Sequence, residues 1–432
     1  MAAGEDMTPA PSFGEALAFW FRLGCISFGG PAGQIAIMQS ELVERRRWID
    51  QTAFLQGLNF CMLLPGPEAQ QLATYVGWRL HGWPGAVAAG CLFVLPGALV
   101  LLCLAWIAAA FGGVGPVAAI FDGIKPMVVA IIAHAVWRIG RRSLHRWERV
   151  ALAALAFLCI WWLGIDFPWI VLGAGLIGIL STRLASQPFA AESHGGSRQQ
   201  GAQARAGAPA LPGGRPIVLG LSYLLLLVLP VGLAVLVFGR TPFLEVARFF
   251  TQAAFVTFGG AYAVLPYIAE AAVKTYGWLP AGEMLNGLAL AETTPGPLIL
   301  VTQYVGFFAG WNHPGGLAPA AAGSIAAAIT TYVTFLPSIF FILIGAPYVV
   351  RLAGHPVLGA GLTAITAAVV GVILNLAAFM AEQVLFPGRS VDAFAIALAI
   401  LAMALLLLRN LAIHWLVLIG AGIGLGRWLL LS

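Results

Sequence analysis

The chain has 432 residues, of which 60% are hydrophobic and 9% charged, with mean hydropathy +0.92 and net charge +5. Soluble domains carry about 25% charged residues, so a soluble fold of this length could not cover its surface. Apolar runs reach the roughly 20 residues that cross a hydrocarbon core of about 30 Å, and none alternates with the period of two expected of an outer-membrane barrel.

The expected class is therefore an all-α polytopic membrane protein. Its first residues, Met1 to Met7, are acidic and lack a basic n-region. They read as a cytoplasmic start rather than a signal peptide. The arginines cluster between apolar segments, where the positive-inside rule accounts for them through the lipid bilayer, with no nucleic acid. The five cysteines sit in apolar runs and form no CxxC, so they read as small buried hydrophobes. The seven histidines form no HxxxH or HExxH pair, and there is no P-loop. No metal, no cofactor, no ATP and no enzyme activity are expected.

In chain order, residues 13–28 are apolar and run into Phe28-Gly29-Gly30-Pro31. A short segment follows at 33–44. Another, 51–64, stops at Pro65-Gly66-Pro67, and 68–80 starts afresh. The segments 84–111 and 117–138 are long. After a polar stretch, 217–238 is apolar and has no counterpart upstream. Breaks then recur at Gly259-Gly260 and Pro295-Gly296-Pro297, and long segments recur at 317–345 and 356–380.

The recurrence is a duplication. Between Phe19 and Pro67 there are twelve identities in 49 positions at an offset of 230, where composition alone gives roughly three or four. Trp48 pairs with Trp278, Gly57-Leu58 with Gly287-Leu288, and Leu95-Pro96 with Leu336-Pro337. The expected organisation is a first repeat at 1–185 and a polar, low-complexity cytoplasmic linker at 186–216. An extra span at 217–240 and a second repeat at 241–432 complete it.

One extra span turns the second repeat over. Charge placement agrees: Arg45-Arg46-Arg47 becomes Thr275-Tyr276-Gly277, and the basic stretch 138–149 loses its arginines near 376–390. The reverse holds at the opposite ends, where uncharged 112–116 is matched by Arg351 and His355. Loops that exchange their bias are the mark of inverted repeats.

The breaks predict discontinuous helices. Gly takes the left-handed position that ends a helix, and Pro suits the first helical residue, so Pro67 and Pro297 are expected there. Amides exposed at membrane depth are tolerated where they line a cavity or bind something. With the positive end of the helix dipole they form an anion site. Two such sites facing each other near the midplane suit a secondary transporter. Ionisable groups at that depth are costly and usually functional. Glu68 reads either as a helix cap or as a proton-linked or gating carboxylate. Glu292 precedes its break and has no capping role. Arg22 is weighed between a substrate-charge role and snorkelling. Gln70 adds a polar side chain just beyond Pro67.

These stretches resemble the chromate ion transporter family in its long, two-domain form. The likeness is carried by residues 21–31 (FRLGCISFGGP), 64–72 (LPGPEAQQL), 255–261 (FVTFGGA) and 293–297 (TTPGP). The resemblance implies chromate efflux from the cytoplasm across the inner membrane, chromate resistance and oppositely oriented halves. A dianion with tetrahedral acceptor oxygens suits backbone amides, with Ser27, Thr257, Thr293 and Thr294 as hydroxyl donors. The candidate binding positions are thus Arg22, Ser27, Phe28, Gly29, Gly30, Pro65, Gly66, Pro67, Glu68, Gln70, Thr257, Gly259, Gly260, Glu292, Thr293, Thr294, Pro295, Gly296 and Pro297. Sulfate shares the charge and shape, so a sulfate carrier stays open, as does a homodimer. A membrane-bound chromate reductase is disfavoured by the unpaired cysteines and the lack of a dinucleotide fingerprint.

Overall fold

The computed structural model describes residues 11–28, 30–183, 188–189, 215–349, 355–409 and 411–432. Among them all regular structure is helical. The first half contains α1 (Phe13–Ile26), α2 (Gly30–Gln39, running into a π turn at Ser40–Arg45), α3 (Gln51–Cys61), α4 (Glu68–Phe111), α5 (Gly115–Ser143), α6 (Trp147–Leu163) and α7 (Phe167–Ser181). Helix α8 (Arg215–Phe238) separates it from the second half. That half contains α9 (Phe243–Val256), α10 (Ala261–Glu270, with a π turn at Ala271–Thr275) and α11 (Ala281–Thr293). It continues with α12 (Val301–Asn312, entered through a 3-10 turn at Leu298–Leu300), α13 (Pro319–Gly345), α14 (Pro356–Leu385), α15 (Ala393–Arg409) and α16 (Ile413–Leu431).

The order repeats down to the π turn after the second helix of each half. Helix α4 matches α12 and α13 together. Its helical geometry breaks at His81 and Gly82 (φ 63°), where the second half carries a loop at 313–318. Among the described residues six helices are long and apolar enough to cross a membrane: α4, α5, α8, α13, α14 and α16, while α7 and α15 are shorter apolar helices. The chain is a multi-pass membrane protein.

Local chemistry sets the boundaries. Ser12 and Glu15 close a capping box on α1, satisfying two orphan donors reciprocally. Asp50 accepts from the Ala53 amide at 2.8 Å to start α3. Gly164, at φ 60°, ends α6 in the left-handed region.

The halves interlock. Helix α5 packs on α15 and α16, whereas its equivalent α14 packs on α6 and α7, and α5 and α14 cross each other. Small residues let the backbones meet. A Cβ on Gly123 would stand 2.1 Å from the Gly420 carbonyl oxygen, and one on Gly178 2.4 Å from that of Ala360. Between lipid-embedded helices such close packing replaces the hydrophobic effect as the adhesive.

One cradle is filled differently in the two halves. The Arg46 guanidinium lies 4.9 Å from the Phe19 ring and 4.8 Å from Trp48, a cation–π contact with each of two rings that meet edge to face at 5.1 Å. At the equivalent place Tyr276 lies 5.6 Å from Phe249 and stacks on Trp278 at 4.3 Å.

Candidate functional site

Helices α1 and α9 end at equivalent residues, Ser27 and Thr257, both fully buried. Each folds its hydroxyl back onto its own helix. Ser27 Oγ donates to the Leu23 carbonyl and Thr257 Oγ1 to that of Ala253, both at 2.6 Å. Their main-chain carbonyls are taken by the opposite half. The Gly66 amide donates to Thr257 O at 2.7 Å, and the Gly296 amide donates to Ser27 O at 2.8 Å. Gly66 and Gly296 are themselves equivalent, at φ 122° and 95°, a region that favours glycine. Such an exchange is the isologous contact of a two-fold pair. It ties the break at 28–31 to that at 295–297 and the break at 65–67 to that at 259–260, and contact between α10 and the turn at Leu298–Leu300 brings the two pairs side by side at one junction.

Side chains lock the junction. Gln34 Nε2 donates to Gly296 O at 2.5 Å and to Ser27 O at 3.2 Å. Gln71 Nε2 donates to Pro65 O at 2.7 Å, and Gln303 Nε2 to Ala98 O at 2.8 Å. A Cβ on Gly97 would stand 2.0 Å from the Pro295 oxygen, and one on Gly66 2.4 Å from Ser338 Oγ. Gly97 and Ser338 are equivalent, each following a repeated Leu-Pro.

Helix starts face the junction. Pro67 and Pro297 are N-caps, not first helical residues, because their ψ angles of 105° and 134° are extended. Each helical turn thus begins one residue later than the sequence reading placed it. Neither proline supplies a capping side chain. The amides of the first turn have no intrahelical acceptor and carry the positive end of the dipole. Gly260 (φ 92°) opens α10 in the same uncapped way.

The four hydroxyls offered as donors turn elsewhere. Besides Ser27 and Thr257, Thr293 Oγ1 donates to the Ala289 and Leu290 carbonyls, and Thr294 Oγ1 to Ala291. Short hydroxyl side chains at a helix end satisfy its orphan carbonyls first. The donors left at the junction are backbone amides and carboxamides.

The two carboxylates differ. Glu292 is buried, and Tyr262 Oη donates to its Oε1 at 2.5 Å. Arg138 of α5 is the cation whose charge both groups feel. Glu68 is half-buried, with Oε1 3.9 Å from where a Cβ on Gly260 would stand. Gln70 is 0% exposed, and among the described residues neither of its amide atoms has a partner.

The remaining predicted positions are dispersed. Gly30 (φ 70°) opens α2, and Gly259 has φ 79°. Phe28 is exposed, its ring 6.3 Å from that of His414. Arg22 lies on the exposed face of α1, opposite Trp20, Leu23 and Gly24. Gly29, Arg351 and the linker residues 186–187 and 190–214 lie outside the described residues. Sequence reasoning gave no site role to Gly97, Ser338 or Arg138. The repeated Leu-Pro pair was the available signal for the first two. Among the described residues no group of His, Cys, Asp or Glu is arranged to hold a metal ion.

The family profile described as Chromate transporter matches residues 14–179 and 244–425. The chain belongs to the chromate transporter family. The two matches cover α1 to α7 and α9 to α16, leaving α8 between them. The chromate transport protein of Pseudomonas aeruginosa is 32% identical over 93% of this chain and 89% of its own length. That of Cupriavidus metallidurans is 28% identical over 94% and 91%. A probable chromate transport protein of Synechococcus elongatus is 26% identical over 87% and 86%. No solved structure gives a significant match. The relatives' names point to a transporter rather than an enzyme.

Proposed function

We propose that this chain is a secondary transporter that exports chromate from the cytoplasm across the inner membrane and so confers chromate resistance. One observation carries the reading: the reciprocal Gly66–Thr257 and Gly296–Ser27 bonds join uncapped helix starts from both halves. A tetrahedral dianion is recognised there by the backbone amides that follow Pro67, Gly260 and Pro297. Glycine at 66, 259, 260 and 296 lets the backbone approach it closely.

The repeats are proposed to lie in opposite orientations, with the N-terminus and the 186–216 linker cytoplasmic. The extra helix α8 supports this, since one added crossing inverts every helix after it. The exchange of Arg46 for Tyr276 in equivalent cradles supports it too. Arginine favours the cytoplasmic interface, and tyrosine suits either one.

The energetics suffice without ATP. Moving two negative charges outward through an inside-negative potential releases about 4.6 kcal/mol per 100 mV. That sustains a gradient on the order of a thousandfold.

Radiolabelled chromate flux in oriented proteoliposomes tests the reading, with voltage and pH gradient imposed separately. Chromate is expected to leave the cytoplasmic side faster as that side becomes negative. Pro67→Leu and Pro297→Leu are each expected to abolish flux while the protein still inserts. Absence of chromate flux in the unmodified protein overturns the proposal. Equal sulfate flux in the parallel assay makes the protein a general oxyanion carrier.

A further inference from the structure

The two junction carboxylates have unlike surroundings. Glu292 is tied by Tyr262 and lies in the field of Arg138. Glu68 forms no ion pair among the described residues. The Cys61 thiol of α3 lies within its electrostatic reach. On the α10 side it meets the backbone of Gly260, and the hydroxyl of Tyr262 beyond is committed to Glu292. On the α13 side the neighbour of the break is Ser338, beside Gly66.

Glu68 is the first residue of α4, behind a proline that does not cap it. Its Oε1 also lies 3.9 Å from the Cβ position of Gly260, which opens α10. The carboxylate of the first residue of α4 therefore lies beside the residue that opens α10, close to the amides that are proposed to hold the cargo and bonded to none of them among the described residues. The second half has no such group, since its equivalent residue is Leu298.

We propose that Glu68 is a tethered anion that competes with chromate for these amides and carries one proton outward with each dianion. This rests on the oxyanion reading above. Desolvated like charges cannot share one set of donors, so chromate enters when Glu68 is protonated. When chromate leaves on the far side the proton leaves with it. The carboxylate then takes the cargo's place while the empty carrier reorients. The balance is one CrO4 dianion and one proton from inside to outside, a net transfer of one negative charge rather than two. Proton and chromate strengthen each other's binding by the same factor.

The test is calorimetric titration of the full chain in detergent with chromate at alkaline pH, where chromate is a full dianion, in buffers of different ionisation enthalpy. The unmodified protein is expected to take up close to one proton per chromate bound, and Glu68→Gln none. In proteoliposomes carrying a pH dye, protons are expected to move with chromate, one to one and in the same direction. Chromate binding without proton uptake overturns this proposal and leaves the oxyanion reading standing, whereas no chromate binding overturns that reading itself. Proton uptake that persists in Glu68→Gln assigns the proton to another group and also overturns it. Should that variant not fold, the infrared difference spectrum of Glu292→Gln decides. A protonated-carboxyl band that appears on adding chromate supports Glu68, and its absence overturns the assignment.

Discussion

The amide of Gly66 donates to the carbonyl of Thr257 at 2.7 Å, so a break in one half is closed by the backbone of the other. The equivalent bond, from Gly296 to Ser27, runs the opposite way at 2.8 Å. The junction is thus shared, and neither half can form it alone.

Gly66→Ala is expected to lower chromate flux at least tenfold with insertion retained. Its φ of 122° costs a substituted residue about 1–3 kcal/mol. The new Cβ would also stand 2.4 Å from Ser338 Oγ. Adding Ser338→Gly relieves the second cost but not the first, so flux recovers in part. Full recovery in the double variant would show that the backbone angle is not the constraint.

Gly97→Val places a side chain 2.0 Å from the Pro295 oxygen. Overpacking of this kind costs about 1–3 kcal/mol, read as a lower thermal unfolding temperature in detergent. Gly57→Ala and Gly287→Ala drive a methyl into the Tyr75 and Tyr304 rings, at 2.2 and 2.4 Å. Because that packing is duplicated, the two variants are expected to lose similar stability.

Tyr262→Phe removes the donor from buried Glu292. A buried acceptor left without its partner costs about 1–3 kcal/mol, again visible in thermal unfolding. Glu292→Gln keeps an acceptor oxygen for Tyr262 and is expected to cost less. A double-mutant cycle between Glu292→Gln and Arg138→Gln reads the coupling across the halves. A coupling of zero would remove Arg138 from the group.

Gln70→Leu separates function from stability. The carboxamide is fully buried with neither atom partnered among the described residues. Replacing it with an apolar side chain of similar size is expected to stabilise the fold by about 1 kcal/mol. On the proposed reading the carboxamide is a donor to the cargo, so flux is expected to fall. A purely structural glutamine would show loss of stability and unchanged flux per folded molecule.

Arg47→Cys and Gly277→Cys, both at exposed positions, test the proposed orientation. A membrane-impermeant thiol reagent added to intact cells is expected to label position 277 and to miss position 47. Labelling of both from one side would contradict opposite orientation of the repeats.

Much of the fold was legible in the chain because it is written in local signals. Hydropathy marks the apolar helices. The duplicated Gly-Gly and Pro-Gly-Pro mark the breaks at 28–31, 65–67, 259–260 and 295–297, since glycine and proline limit the backbone without reference to distant neighbours. The unmatched run that became α8 was visible for the same reason. What the chain did not disclose depends on which helices approach one another. The hydroxyls of Ser27, Thr257, Thr293 and Thr294 looked like donors to a ligand until their own helix carbonyls were seen to take them. Gln34 acquired its role only when the opposite half arrived beside it. The crossing of α5 and α14 into each other's half is likewise long-range. Residue order determines where a membrane helix must break. Tertiary packing decides which carbonyl, amide or cation meets the broken end, because the bilayer supplies no water to meet it.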